Sequence, residues 1–79
     1  MKKVTKYAEY TMVRTEDSFT FSVKEERDFS AVKIEHISEA GANLFFNEIS
    51  RFDVRACQLV SLAEDKAIEA VSEIFLELL

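Results

Sequence analysis

Residues 19–24, FTFSVK, alternate strictly: Phe19, Phe21 and Val23 against Thr20, Ser22 and Lys24. A period of two predicts a strand with one buried and one wet face. Residues 3–14, KVTKYAEYTMVR, are rich in β-branched and aromatic types and predict a first strand, with both faces mixed. TEDS at 15–18 and KEERD at 24–28 are polar breaks, and FSAVKIEHI at 29–37 predicts a third strand with Val32 and Ile34 on one face. Neither break contains Asn-Gly or Asp-Gly, so hairpin loops longer than two residues are expected.

The period then lengthens. Leu44, Phe45, Ile49 and Phe52 recur at helical spacing, which predicts a helix over about 39–52. Ser38 can cap it, and Glu39 sits favourably near the positive end of its dipole. Residues 54–62, VRACQLVSL, fit either a fourth strand or the start of one long helix. SLAE at 61–64 matches a capping box, which favours a strand followed by a helix from about 62 to 79. The expected architecture is α+β: an antiparallel sheet of three to four strands with two helices on one face, in the order βββα(β)α.

Chain length places this in a single domain spanning residues 1–79. With 48% hydrophobic residues, seven Phe and two Tyr, it has material for a core; with one Gly and no Pro, it has no flexible linker. No run approaches the roughly 20 apolar residues that cross a bilayer, so no membrane association is expected. The N-terminal segment lacks the apolar stretch of a signal peptide, and the expected location is cytoplasmic, in its own cell or a host cell.

Charge changes the picture more. The net charge is −5, yet residues 1–14 hold four bases and one acid, while 15–39 and 40–79 each hold seven acids and three bases. A basic first strand, with Lys2, Lys6, Tyr10 and Arg14 at one parity, could stack single-stranded bases, but the acidic remainder opposes a phosphate backbone. Direct nucleic-acid binding is therefore a disfavoured alternative.

Catalysis is not expected either. His36 and Cys57 each occur once, without an activating motif, and Cys57 lies in an apolar-rich segment where a buried thiol is the usual outcome. One glycine cannot build a phosphate loop, and one cysteine cannot form a disulfide or a cysteine metal site. Catalytic residues, metals and cofactors are all expected to be none.

The C-terminal segment carries the strongest signal. Asp65, Glu69, Glu73 and Glu77 recur every four residues, forming an acidic ridge with about 6 Å between neighbours. Like charges at this spacing oppose the helix that bears them. Ala67, Ile68, Val71, Ile74, Phe75 and Leu78 form the stripe that holds it to a core, which leaves Leu76 and Leu79 off that stripe. Phe45 and Phe46 point about 100° apart on a helix, so one of them, Phe46, is a candidate contact. These features predict a non-catalytic protein-interaction module that meets a protein partner with a basic surface. Asp65, Glu69, Glu73 and Glu77 would steer, and Phe46, Leu76 and Leu79 would make contact. An inhibitor of nucleic-acid machinery, of the phage-encoded DNA-mimicking kind, fits the ridge. A structural subunit that forms a homodimer through the terminal helix is the alternative.

Overall fold

The computed structural model describes residues 1–66. They form an α+β fold in which four antiparallel strands precede two helices. The strands are β1 (Lys2–Val4), β2 (Glu9–Thr15), β3 (Ser18–Lys24) and β4 (Phe29–Glu35), and the sheet order follows the chain, β1-β2-β3-β4. Helix α1 is Glu39–Arg51, and α2 begins at residue 56 and is helical through 66.

The fourth strand arises where the sequence suggested one long first strand. Thr5 closes a turn at 5–8: its N–H donates to the Ala8 carbonyl at 2.9 Å, and its hydroxyl accepts from the Ala8 N–H at 3.2 Å. The chain therefore reverses inside the β-rich run, and Lys2↔Thr11 to Val4↔Glu9 pair as a hairpin. The mixed faces of residues 3–14 are the trace of this reversal. β2 and β3 pair from Glu9↔Lys24 to Thr15↔Ser18, which leaves a loop of Glu16 and Asp17 alone. That hairpin is shorter than expected: the Thr15 and Ser18 hydroxyls bond across it at 2.5 Å, and neither loop residue has positive φ. The next loop, between Lys24 and Phe29, is four residues long.

Alternation on β3 does what it predicted. Phe21 and Val23 are fully buried and Phe19 nearly so, facing Tyr10 and Met12 of β2 and Ile34 of β4. Ala42, Phe45, Phe46 and Ile49 of α1 and Leu59 and Ala63 of α2 complete one core. The Phe21 and Phe45 rings meet edge to face at 4.8 Å. Complete burial of a side chain such as Phe21 contributes about 1.5–3 kcal/mol.

α1 begins where its cap predicted. Ser38 Oγ accepts the Gly41 N–H at 3.0 Å, with Glu39 in the first turn and Arg51 in the last. A Cβ on Gly41 would lie 3.1 Å from Ser38 Oγ and 3.2 Å from Ile37 Cγ1, so glycine keeps the cap uncrowded. The helix ends with Asp53 at φ 49°, in the left-handed region, and the Val54 N–H returns to the Ile49 carbonyl at 3.0 Å. This is a Schellman-type stop with an aspartate where glycine is commonest.

Residues 54–61 form no strand. Val54 and Arg55 are a short link, and α2 is already helical at 56. Its amino end is capped both from the β3–β4 loop and from its own first turn. Glu25 Oε2 accepts the Ala56 N–H at 3.1 Å, and Gln58 Oε1 accepts the Arg55 N–H at 3.1 Å. Ser61, read as a cap, is an exposed residue inside the helix.

Candidate functional site

Residues of α1, of the link that follows it and of α2 line a groove of about 410 Å³. Its floor is Phe45, Ile49 and Val54, all buried core residues. Its open wall is Phe52, 71% exposed, with Leu62 at 38%. Phe52 is the C-cap of α1, with Asp53 turning the chain away just after it. Glu48, Asp65 and Lys66 complete the lining.

The acids named from the sequence divide. Asp65 is exposed and lines this groove. Glu69, Glu73 and Glu77, with Leu76 and Leu79, fall outside the described residues. Phe46, expected as a contact, is fully buried, and the Lys3 ammonium lies 5.6 Å from its ring centre. Lys3 is held there by Asn47 Oδ1 at 2.7 Å. Both rings of the Phe45–Phe46 pair point into the core, where α1 packs on β2 and Phe45 meets Phe21 of β3. On α1 and its C-cap the large apolar residues left outside are Leu44, at 61% exposure, and Phe52. Helical spacing alone groups both with Phe45 and Ile49.

A second groove lies at the start of α2, lined by Tyr7, Glu25, Arg27, Arg55 and Cys57 among others. Arg55 donates to Glu25 Oε1 at 2.8 Å, and its guanidinium lies 5.4 Å from the Tyr7 ring centre. Tyr10 donates its buried hydroxyl to the Val54 carbonyl, next to Arg55, at 3.0 Å. Burial above all, with Asp53 second, raises the Tyr10 phenol above its ordinary pKa. Cys57 is exposed here, contrary to the buried thiol expected. His36 lines a different groove, at the β2–β3 hairpin end of the sheet.

The basic, aromatic strand face proposed for nucleic acid is not assembled. Tyr10 is fully buried, and the reversal at 5–8 turns Lys2 to the opposite face from Tyr10. Lys2 instead meets Glu9 at 2.5 Å, and that hydrogen bond holds the Glu9 carboxyl below its ordinary range.

Among the described residues, no group of three or more His, Cys, Asp or Glu side chains is arranged to hold a metal ion. Nor is any helix there long and apolar enough to cross a membrane. A scan against family models, a search of curated proteins and a search of solved structures found no match to this chain.

Proposed function

We propose that this chain is a non-catalytic protein-interaction module, and that the groove between α1 and α2 is its contact surface. The observation that carries the reading is Phe52: a large ring, 71% exposed, beside an apolar floor. Exposed aromatic side chains next to well-packed pockets are where binding energy concentrates. Glu48 and Asp65 outnumber Lys66 in the lining and leave it net acidic. The partner then presents an apolar side chain flanked by lysine or arginine. The charged rim sets the encounter rate and the ring supplies the affinity.

The test is affinity capture from the native cell with the whole chain as bait, beside Phe52→Ser and Asp65→Lys. Circular dichroism checks that each variant is folded. The expected result is a single protein that the unmodified chain retains, lost on Phe52→Ser and weakened on Asp65→Lys and in about 0.5 M salt, where surface charges are screened within a few ångströms. Equal retention by all three baits would end this reading. Retention that ignores salt would remove its electrostatic part.

A further inference from the structure

We propose that the free edge of β4 is a second docking site, which takes a basic, extended strand of another protein as a fifth strand of the sheet. The inference goes beyond the groove and does not depend on it. It begins with the hydrogen-bond frame. The Glu25 N–H donates to the Asp28 carbonyl at 2.8 Å, and the His36 N–H to the Asp17 carbonyl at 3.1 Å. With the register Ser18↔Glu35 to Lys24↔Phe29, these bonds fix Ser30, Val32 and Ile34 as the β4 residues that exchange backbone bonds with β3. Phe29, Ala31, Lys33 and Glu35 therefore turn their N–H and C=O groups outward.

Among the described residues no strand meets them. Asp28 Oδ1 accepts the Phe29 N–H at 2.9 Å, which leaves three donors and four acceptors in a row. Edges of this kind are templates for strand addition unless the sequence blunts them. The opposite edge is blunted: β1 has three residues, two of them lysines. β4 has seven residues, no Pro or Gly, and an unbroken register with β3. His36, at φ 59°, ends it abruptly.

Charge selects the occupant. Residues 25–39 carry five acids and two bases. Lys33, the one base on β4, is 3.9 Å from Glu35 and is paired with it. Glu26 and Asp28 lie at one end of the edge, Glu35 and Glu39 at the other. A second copy paired antiparallel through β4 would set its acidic 25–28 loop beside Glu35 and Glu39, like against like. A basic strand avoids this. Its apolar residues would continue the face of Val32 and Ile34, and its basic residues would lie on the face of Phe29 and Glu35.

A capped peptide, Lys-Val-Thr-Val-Lys-Val-Lys, is the probe. Paired antiparallel, its ends meet Glu35 and Phe29, and its threonine meets Lys33. Titrated into the whole, isotope-labelled chain, it is expected to shift the amide resonances of Ala31, Lys33 and Glu35 and to slow their hydrogen exchange. The same peptide N-methylated at its third and fifth residues loses bonds made only in this frame, and is expected to bind about tenfold more weakly. N-methylation at the second and fourth residues is expected to leave binding unchanged. Ala31→Pro removes an outward donor without touching the β3 ladder, and it too should weaken binding about tenfold. Should that variant fail to fold, the two methylated peptides decide on the unmodified chain. The proposal is overturned if no β4 amide responds at millimolar peptide, if both methylated peptides bind alike, or if sedimentation shows the edge filled by a second copy. Phe52→Ser should leave peptide binding intact, which separates this result from the fate of the groove.

Discussion

The carboxylate of Glu25 and the guanidinium of Arg55, thirty residues apart in the chain, meet at 2.8 Å, and the other oxygen of that carboxylate caps α2 through the Ala56 N–H. One side chain in the β3–β4 loop thus fixes where the second helix begins. Glu25→Ala is expected to lower stability by about 1–2 kcal/mol, the usual cost of a lost amino-terminal cap. Arg55→Ala removes only the half-exposed partner of the ion pair and should cost less than about 1 kcal/mol. Urea denaturation of both single variants and the double variant measures the two effects and their coupling.

Tyr10→Phe leaves the core volume in place and strips the Val54 carbonyl of its buried partner. A loss of about 1–2 kcal/mol is expected at neutral pH. The phenol pKa is raised in the folded state, so the associated stability is fully present below the unfolded value of about 10 and is lost as pH rises through the folded value. Thermal melts between neutral and alkaline pH should show this decline in the parent chain and a flatter one in Tyr10→Phe.

Asp53 holds φ 49° at the end of α1, a conformation that strains any residue with a Cβ and favours glycine. Asp53→Gly is expected to raise stability by about 0.5–1 kcal/mol, read as an upward shift in the melting midpoint. An unchanged or lower midpoint would mean that the carboxylate contributes more than its backbone costs.

Cys57, exposed near the start of α2, should react with an aromatic disulfide reagent in the native chain as fast as it does in denaturant. Marked protection in the native state would place it under cover instead. A label attached there would report on the Tyr7–Arg55 groove without entering the core.

The parts of this fold that were legible are those whose signals are local. β3 alternates residue by residue, and α1 has its cap, its first-turn acid and its apolar spacing within one stretch of chain. The reversal at 5–8 was hidden because Lys-Val-Thr-Lys-Tyr is acceptable strand composition, and the turn depends on one threonine hydroxyl. The start of α2 was hidden for the opposite reason. Its cap comes from Glu25, so the local SLAE match drew the boundary to the wrong residue. In the groove, Asp65 was visible as part of a charge period. Phe52 was not, because α1 stops at Arg51 and leaves it as the C-cap, and the aspartate that follows is a weaker stop signal than glycine.

Every strand of the sheet pairs with its neighbour in the chain. Three successive hairpins close over short loops, so the sheet can assemble at little entropic cost before any distant segment arrives. The contacts that span the chain, Lys3 to Asn47 and Tyr10 to Val54, each bridge forty-four residues and belong to helix docking. Refolding is thus expected to divide into an early meander and a later closure, with Tyr10→Phe speeding unfolding more than it slows folding.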